Sequence, residues 1–456
     1  MARPKIAIIG AGSRSFGPAT IRDIFLSKPL KQAGVRLVLM DKIEKHVSET
    51  AAYARAVNRR TGGNAAIEST TSLKKAVDGA AAVVSAIEVD RYLYWAMDFH
   101  VPRKYGFRQP YGENGGPGGD FHALRNMGPT IEIARAMEKL APGAPLLNYT
   151  NPEPKLVEAV SRLTRVPAIG LCHGIGMGIG WVSTVLGKPV KDMEYAACGL
   201  NHFTWFQTLR DRKTGKDLYP DLAKADREGD WLAHWEEIAL ARVLFRRFGL
   251  WPSPGTNHFG EYIRWADEFL SSNPQYFYDP ADGHPWQGKV PVPEFIYSLE
   301  YTEMDRPFMP KKARTADDWN PDARGMKDKL EPSGELGAVI MESVLAGVPH
   351  DLDAMNVPNR GAIPNLPDDM VVEVPGTSDR NGCRARRMAP LPEPIAALLR
   401  TQASINKLLV EAYAEQSKAK LLQAILLEPT VHTYRGAVEM VDEMIGLQKS
   451  ILPPLA

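Results

Sequence analysis

The feature that most constrains the fold is a glycine turn near the start of the sequence. Lys5–Ile9 forms a short apolar run, Gly10-Ala11-Gly12-Ser13 follows it, and an apolar helical pattern then continues as far as Phe25. A strand, a tight turn and a helix in this order are typical of the first unit of a parallel, nucleotide-binding sheet. Ser15 stands where the usual pattern has its third glycine, so the pattern is incomplete there.

The same turn is a candidate cofactor site. Gly10 permits the tight turn, Gly12 lets the backbone approach a pyrophosphate, and the helix that follows directs free N–H groups at the phosphates. The next apolar run, Arg36–Met40, ends in Asp41, whose carboxylate can accept hydrogen bonds from an adenosine ribose and repels a 2′-phosphate. This combination predicts NAD rather than NADP, and the alternative is that Asp41 only caps the next helix.

Strand and helix signals alternate through the first half of the chain. Ala81–Ile87 and Pro145–Leu147 are predicted as later strands, and Asn148 follows the second of them at the edge where ligands bind. The second half mixes apolar, aromatic and helical stretches, and its last part is mainly helical. We therefore predict an α/β protein with a Rossmann-type doubly wound parallel sheet over residues 1–195. A mixed α+β, largely helical domain follows over residues 196–456 and carries the catalytic, substrate and oligomerisation surfaces.

Composition limits the classes of partner. Lys and Arg number 55 against 54 for Asp and Glu, so the net charge of +1 gives no field that would recruit nucleic acid or an anionic membrane. Small molecules are therefore the expected partners. The 3 cysteines are widely spaced, which favours a reducing compartment over a disulfide framework. Because no leader or membrane segment is evident, we expect a cytoplasmic protein.

A second group of polar residues suggests metal chemistry. Asn148–Pro152 follows a predicted strand, and Cys172-His173-Gly174 and Gly199–His202 come later in the chain. Asparagine amides can bind a polyol, and a thiolate with an imidazole can hold a borderline divalent metal whose open positions take sugar hydroxyls. The alternatives are an ordinary Asn-Pro turn, a buried thiol and a histidine that is satisfied in the core.

Several segments, taken together, resemble one known family. In chain order they are Lys5–Asp23, Asn148–Pro152, Cys172–Gly174, Gly199–His202, Asn257–Tyr262, Asn356–Pro375 and Leu421–Pro429. Their order and spacing resemble glycoside hydrolase family 4, whose members are NAD- and divalent-metal-dependent glycosidases. Cys172-His173-Gly174 is similar to the form found in members that act on uronides. A sister family with the same redox mechanism cleaves sulfoquinovosides and stays in view.

The resemblance implies a redox route to hydrolysis. NAD takes a hydride from C3 of the sugar, a base removes the acidified C2 proton, the metal stabilises the enediolate, and the glycosidic oxygen leaves. Water then adds at C1 and the earlier steps reverse, so NAD is regenerated. Manganese is the expected metal, and the family tendency is toward a homodimer or a homotetramer.

The resemblance also implies roles for individual residues. The NAD site would be formed by Gly10, Gly12, Ser13 and Asp41, to which we add the strand-end residue Asn148. The metal ligands would be Cys172 and His202, and Asn151 would contact the substrate. His173 follows the metal cysteine where some phospho-sugar members carry an acid aspartate, and an imidazole can also move protons near neutral pH.

The general base is left open by the sequence. Phospho-sugar members of the family carry a tyrosine at the position aligned with Phe259, and phenylalanine cannot take a proton. The candidates nearby are His258, Glu261 and Tyr262, with Asp120 in the loop Gly112–Asp120 as a further one. The alternatives are a third metal ligand for His258, an exposed loop residue for Asp120 and a packing aromatic for Tyr262.

The expected substrate is a glycoside of a C6-acidic sugar, namely an α-galacturonide, a glucuronide or a sulfoquinovoside. A C6 carboxylate or sulfonate calls for a cationic fork, and the candidate donors are Arg91, Arg125 and Arg360, each alternatively paired with a surface acid. An α-galactosidase or α-glucosidase of the same family is one alternative function. A lactate- or malate-like dehydrogenase and a non-catalytic NAD-binding module are the others.

Overall fold

The computed structural model describes residues 3–13, 16–229, 235–269, 280–292 and 330–456. Ser15 therefore lies outside the described residues. Within them, twelve strands join in one hydrogen-bonded sheet, and helices cover its faces. No helix in this part of the chain is long and apolar enough to cross a membrane. The cytoplasmic location and the homodimer or homotetramer stay predictions.

The strands are numbered in chain order. They are β1 (Lys5–Ile9), β2 (Arg36–Met40), β3 (Ile67–Thr70), β4 (Ala82–Ser85), β5 (Leu146–Asn148), β6 (Ala168–Gly170), β7 (Met193–Leu200), β8 (Phe203–Asp211), β9 (Pro252–Ser253), β10 (His350–Pro358), β11 (Val371–Asp379) and β12 (Gly382–Ala385).

The α-helices of the described residues are numbered in the same way. They are α1 (Phe16–Leu26), α2 (Lys28–Gln32), α3 (Glu44–Arg60), α4 (Leu73–Val77), α5 (Arg91–Lys104), α6 (Gly116–Leu140), α7 (Glu153–Leu163), α8 (Gly174–Leu186), α9 (Tyr219–Glu228), α10 (Trp235–Phe248), α11 (Thr256–Phe259), α12 (Gly337–Met341), α13 (Glu393–Glu415), α14 (Lys418–Leu427) and α15 (Tyr434–Gln448). Short 3₁₀ turns cover Val190–Asp192, Gly260–Tyr262, Ala266–Phe269, Pro280–Asp282 and Pro285–Gln287, and Glu342–Ala346 forms a π-helical turn.

The first six strands form the parallel half of the sheet, in the order β3-β2-β1-β4-β5-β6. Ile8 of β1 pairs with Leu39 of β2 on one side and with Val84 of β4 on the other. Every residue of β1 is buried, because helices cover both faces of a parallel sheet. The strand order reverses between β1 and β4, which opens a crevice at their carboxyl ends. The predicted Rossmann-type sheet is confirmed.

The remaining strands extend the same sheet in antiparallel fashion, in the order β10-β11-β7-β8-β9, with β12 beside β11. Asn356 of β10 pairs with Gly170 of β6 and also with Glu373 of β11. Glu373 in turn pairs with Gly199 of β7. A row of paired residues thus crosses from the parallel half into the antiparallel half. The predicted domain boundary at residue 195 falls within β7 and stays a prediction.

The helical end of the chain packs on the parallel half of the sheet. Leu409 of α13 and Met440 of α15 share one buried apolar cluster with Ala7 of β1. The opposite face of β1 presents Ile6, which is buried with Ile24 of α1 in a separate cluster. The predicted largely helical C-terminal region is confirmed, and its helices close one face of the nucleotide-binding sheet.

Two positions at the first turn require glycine because a side chain would not fit there. Gly10 has a φ of +75°, and a Cβ there would lie 2.4 Å from the carbonyl oxygen of Ala86. A Cβ on Gly17, in the first turn of α1, would lie 2.5 Å from the carbonyl oxygen of Ala11. Close packing of the helix on the strand is what the third glycine of the fingerprint provides. Gly17 therefore does this work, two positions beyond the site that the usual spacing indicates.

We expect Gly17→Ala to lower the free energy of unfolding by about 1–3 kcal/mol, because the added methyl group overlaps a backbone carbonyl that cannot move aside. Gly446→Ala in α15 is the matched control, since its Cβ would meet nothing within 4 Å. A helical glycine replaced by alanine should raise stability by roughly 0.5–1 kcal/mol. Urea unfolding followed by circular dichroism measures both. Equal stability of Gly17→Ala and the wild type would contradict the packing argument.

Candidate active site

The glycine turn and Asp41 meet at the carboxyl edge of the parallel strands. The Gly10 N–H donates to the Met40 carbonyl at 3.0 Å, which joins the ends of β1 and β2. One carboxylate oxygen of Asp41 accepts from the Gly12 N–H and the other from the Ile43 N–H, both at 3.0 Å. Asp41 therefore contacts the glycine turn as well as the chain leading into α3. The N-cap of α3 is Ile43 and no side chain caps this helix, so the capping alternative is wrong, and the cofactor role of Asp41 stays a prediction.

Ser13, Asn148 and Asn151 lie on the loops that follow β1 and β5. The Ser13 N–H closes the glycine turn with a backbone hydrogen bond of 2.9 Å. The Asn148 amide donates to the Thr150 carbonyl at 2.9 Å, so this side chain shapes its own turn. Asn151 is half-buried, and its carbonyl accepts from Asn126 at 3.1 Å. The side-chain nitrogen of Asn148 is therefore already hydrogen-bonded to the backbone.

Cys172 and His202 come together although 30 positions separate them in the sequence. Cys172 follows β6 closely, and His202 occupies the turn between β7 and β8 with a φ of +63°. The Cys172 Sγ lies 3.6 Å from the His202 Nε2. A non-glycine residue at positive φ is uncommon, and here it directs an imidazole at a thiol.

This pair fits one divalent cation. For a zinc-like divalent ion, metal–sulfur and metal–nitrogen bonds of about 2.3 and 2.1 Å at a tetrahedral angle put the two ligand atoms roughly 3.6 Å apart. This is the separation found between Sγ and Nε2. Burial, together with His258, lowers the pKa of His202 to about 3, so its imidazole is neutral and has a lone pair to offer. Among the described residues no group of three or more His, Cys, Asp or Glu is arranged to hold a metal. Cys172 and His202 are therefore the ligand pair that the geometry supports.

His258 lies against the metal-ligand pair. Its ring meets that of His202 edge-on with centroids 4.6 Å apart, and Tyr111 contacts it from another side at 5.4 Å. Burial lowers the pKa of His258 to about 4, so the imidazole is neutral near neutral pH. A neutral imidazole beside the cation position can accept a proton or act as a further ligand.

Glu113 is a site residue that the sequence reasoning missed. Its carboxylate accepts a hydrogen bond of 2.5 Å from Arg91, which also donates to Glu88 at 3.1 Å. Burial alone would raise the pKa of Glu113, but Arg91 and the nearby His202 lower it to about 2. An ionised carboxylate thus lies close to His202 and His258, and Arg91 holds it in place.

The loop that carries Glu113 is fixed by Glu261. The N–H groups of Glu113, Asn114 and Gly115 all donate to the Glu261 carboxylate, at 3.1, 3.0 and 3.0 Å. Burial raises the pKa of Glu261 to about 7. Because three backbone donors occupy its oxygens, Glu261 shapes the site rather than reaching a substrate.

Asp120 and Tyr262 lie behind this loop, in the protein interior. Asp120 belongs to α6, which begins at Gly116, and is buried in an ion pair with Lys155 at 2.6 Å. The predicted loop position of Asp120 is therefore wrong, and so is the alternative of an exposed residue, because Asp120 is helical and buried. Tyr262 is 1% exposed and stacks on Phe203, and burial together with neighbouring carboxylates raises the pKa of its hydroxyl well above the usual value.

Only one of the three candidate arginines reaches the site. Arg91 begins α5 beside Glu113, whereas Arg125 is 2% exposed and donates to Asp98 at 2.7 Å and to Gln448 at 2.8 Å. Arg360 is exposed and follows β10. Since β10 runs antiparallel to β6 with Asn356 opposite Gly170, Arg360 lies toward the amino-terminal end of β6, away from Cys172.

His173 is at the rim of the site. Its side chain is 62% exposed, and Nδ1 lies 3.0 Å from a Glu335 carboxylate oxygen. The hydrogen bond to Glu335 raises the pKa of His173 against the effect of burial. An imidazole that is accessible and holds its proton more strongly than usual is suited to donate one to a leaving group.

Comparison with known proteins identifies the same family as the sequence motifs. A family model described as Family 4 glycosyl hydrolase matches residues 5–183, and one described as the C-terminal domain of that family matches residues 197–431. An alpha-glucosidase of Erwinia rhapontici is 30% identical, with 98% of each chain covered. An alpha-galacturonidase of Thermoanaerobacter italicus is 26% identical, over 98% of this chain and 97% of its own.

A solved structure shares the fold. A 6-phospho-alpha-glucosidase from gut microorganisms, in complex with NAD and Mn²⁺, superimposes with a TM-score of 0.75 at 24% identity, covering 100% of both chains. The resemblance seen in the sequence is confirmed. It replaces the two alternative functions, a lactate- or malate-like dehydrogenase and a non-catalytic NAD-binding module. The chain belongs to the family 4 glycosyl hydrolases.

Proposed function

We propose that this protein is an NAD- and divalent-metal-dependent α-glycosidase that acts through transient oxidation of the sugar. The observation that carries the proposal is the 3.6 Å approach of Cys172 to His202. These ligands lie beside the carboxyl edge of a sheet whose first turn is built for a dinucleotide. A relative in fold was solved with NAD and Mn²⁺, and the relatives in sequence are named as α-glycosidases.

Each part of the site has a task in this reaction. NAD supplies the hydride acceptor and the divalent metal supplies a Lewis acid. The turn formed by Gly10, Gly12 and Ser13 would let the backbone approach the pyrophosphate closely, and Asp41 would accept from the ribose after releasing the Gly12 N–H, which would then be free for a phosphate oxygen. Cys172 and His202 would hold the cation and Asn151 would contact the sugar, while Asn148 shapes the strand-end turn beside the NAD site.

We assign the general base to His258. Phe259 cannot accept a proton, Glu261 is occupied by three backbone donors, and Asp120 is paired with Lys155. His258 lies against His202, so its imidazole would be near C2 of a sugar bound to the cation. His173, held by Glu335, is the acid that protonates the departing oxygen.

Two classes of sugar are candidate substrates. The C6-acidic class comes first, because the Cys172-His173-Gly174 pattern resembles uronide-cleaving members and a galacturonidase is among the relatives. Arg91 is then the cationic group for the C6 acid. Neutral hexosides are the second candidate, because Arg91 already binds the carboxylates of Glu88 and Glu113 and an α-glucosidase is more similar in sequence.

The first test is turnover of nitrophenyl α-glycosides of glucuronic acid, galacturonic acid, sulfoquinovose, glucose and galactose. We expect nitrophenol release that requires NAD and Mn²⁺ while NADH does not accumulate, because the hydride returns to the sugar. Absorbance at the nitrophenol and NADH wavelengths measures both products. Stoichiometric NADH would indicate a dehydrogenase instead. Absence of nitrophenol release from all five glycosides would contradict the proposal.

The substrate class is tested by Arg91→Lys. If an acidic sugar is the substrate, loss of the bidentate fork should lower kcat/KM for it by roughly 10- to 100-fold relative to a neutral sugar. Arg360→Lys is the matched control, since Arg360 lies at the other edge of the sheet. An equal effect of Arg91→Lys on acidic and neutral sugars would leave the neutral hexosides as the substrates.

Cys172→Ser should abolish metal-dependent turnover, because a hydroxyl is a much poorer ligand for a borderline cation than a thiolate. NAD affinity should persist, since the glycine turn is untouched. Cys383→Ser in β12 serves as the matched control. Calorimetric titration with Mn²⁺ and with NAD separates the two sites. Full activity of Cys172→Ser would remove the metal assignment.

His258→Ala should slow exchange of deuterium from C2 of the sugar into solvent by about 10²- to 10⁴-fold, the range for loss of a general base. Tyr262→Phe is the comparison and should exchange at close to the wild-type rate. NMR of the recovered sugar reports the exchange directly. If Tyr262→Phe abolishes exchange while His258→Ala retains it, the base is the tyrosine.

A further inference from the structure

We propose that Glu88 is a positioning residue that holds three loops of the candidate site in one fixed arrangement. The inference rests on the proposed function and assigns to it a residue that no motif singles out. Glu88 lies between β4 and α5, at the carboxyl end of a central strand of the parallel sheet. It acts through the groups that donate hydrogen bonds to it.

Four donors surround the carboxylate of Glu88. One oxygen accepts from the Asn126 side chain at 3.0 Å and from the Val89 N–H at 2.9 Å. The other accepts from Arg91 at 3.1 Å and lies 2.9 Å from Nε2 of His122. Because each oxygen faces two donors, neither can be exchanged for an NH₂ group without loss of hydrogen bonds.

His122 connects Glu88 to the loop of Glu113. His122 is 3% exposed on α6, and its Nδ1 lies 2.8 Å from the Glu113 backbone oxygen. A carbonyl and an ionised carboxylate both accept, so both contacts of the ring are hydrogen bonds when each ring nitrogen carries a proton. The charged ring and Arg91 then balance the two carboxylates, as groups with little access to water require.

Asn126 connects Glu88 to the loop that follows β5. It lies four positions after His122 on α6, so the two side chains share one face of the helix. Its Nδ2 donates to Glu88 at 3.0 Å and to the Asn151 carbonyl at 3.1 Å. A carboxamide nitrogen carries two hydrogens, so one serves each partner. Asn151, the predicted substrate contact, is therefore held by its backbone.

Arg91 completes the connections between the loops. It donates to Glu88 at 3.1 Å and to the Glu113 carboxylate at 2.5 Å. Arg91 thus holds the side chain of Glu113, whereas His122 holds its backbone. Together with the Asn126 contact, one carboxylate fixes the loops after β4 and β5 and the loop before α6.

The arrangement of these loops matters for hydride transfer from the sugar. In the proposed reaction Asn151 contacts the sugar, and the dinucleotide turn follows β1, the strand that pairs with β4. A displacement of about 1 Å at a reacting centre can lower the rate roughly 100-fold although the direct substrate contacts remain. Loss of the Glu88 acceptors should therefore lower kcat much more than it raises KM.

The test uses Glu88→Gln, which keeps the shape of the side chain and replaces one acceptor oxygen by an NH₂ group. Glu132→Gln is the matched control, because Glu132 is an exposed glutamate on α6. Hydrogen–deuterium exchange of backbone amides is followed by mass spectrometry in the peptides that contain Asn114 and Asn151. This measurement needs neither substrate nor cofactor.

We expect exchange in both peptides to be roughly 10-fold faster in Glu88→Gln, because the hydrogen bonds that hold the two loops are weakened. On the nitrophenyl α-glycoside that the wild type cleaves best, kcat should fall by roughly 10- to 100-fold, with KM within a few-fold of the wild type. Glu132→Gln should match the wild type in both measurements. Calorimetric titration with NAD reports whether each variant retains the fold.

Asn126→Leu tests the branch to Asn151 and decides the question if Glu88→Gln does not fold. Asn406→Leu is its control, because Asn406 is an equally buried asparagine on α13. The peptide that contains Asn151 should exchange faster in Asn126→Leu, whereas the loop before α6 should exchange at the wild-type rate, because its own contacts remain. Asn406→Leu should leave both rates unchanged.

Three outcomes would overturn the positioning role of Glu88 alone. They are wild-type exchange in both loops of Glu88→Gln, a raised KM with unchanged kcat, and equally faster exchange of the Asn151 peptide in Asn406→Leu and Asn126→Leu. A wild type that releases no nitrophenol from any of the five glycosides would instead remove the proposed function. The exchange rates would then still show whether Glu88 holds the loops, so the two failures are distinguishable.

Discussion

The pairing of Gly170 with Asn356, and of Glu373 with Gly199, is the constraint on which the site depends. It joins a parallel nucleotide-binding sheet to an antiparallel extension without a break in the hydrogen bonding. The loop after β6 and the turn after β7 come together beside this row of paired residues, where the Cys172 Sγ lies 3.6 Å from the His202 Nε2. A thiol from one half and an imidazole from the other can then face a single cation, beside the glycine turn that begins the sheet. The chemistry is a property of the shared sheet, and neither half contains it alone.

Buried charge is the second constraint, because the carboxylates of Glu88 and Glu113 lie close to the proposed metal ligands and need cationic partners. Glu88 accepts from Arg91 and lies 2.9 Å from His122, and Arg91 also binds Glu113. Burial acts to raise the pKa of Glu88, but His122 and Arg91 outweigh it and hold that pKa well below the usual range. Ionised groups that are paired in this way are costly to disturb, since removal of one partner leaves the other buried and uncompensated. The network therefore keeps the loop of Glu113 in one position against the metal ligands.

The sequence predicts the features that depend on a local pattern of residues. It does not predict the roles that depend on partners far away in the chain. An apolar run, a glycine turn and a strand-end acid are contiguous signals, so β1, β2 and Asp41 could be predicted. The third glycine, which packs the helix on the strand, could not be predicted from spacing. It is Gly17, two positions later than the usual pattern places it. Arg125 and Asp120 carry charges that suit a substrate, yet their partners, Asp98 and Lys155, become neighbours only through helix packing. Glu113 was missed for the same reason, since its significance comes from Arg91 and His202 rather than from its own surroundings in the sequence.

A site with two protein ligands places a specific demand on the substrate. Two positions held by Cys172 and His202 leave a divalent ion open to further donors, and vicinal sugar hydroxyls provide two oxygens in a geometry that suits it. In the proposed reaction the substrate would bind this ion, which would fix the ring carbon that loses its hydride relative to the NAD site. The rigidity must come from the protein, because a mobile sulfur would move the sugar with it. The Gly174 N–H lies 3.4 Å from the Cys172 Sγ, and this backbone contact limits the rotation of a short side chain.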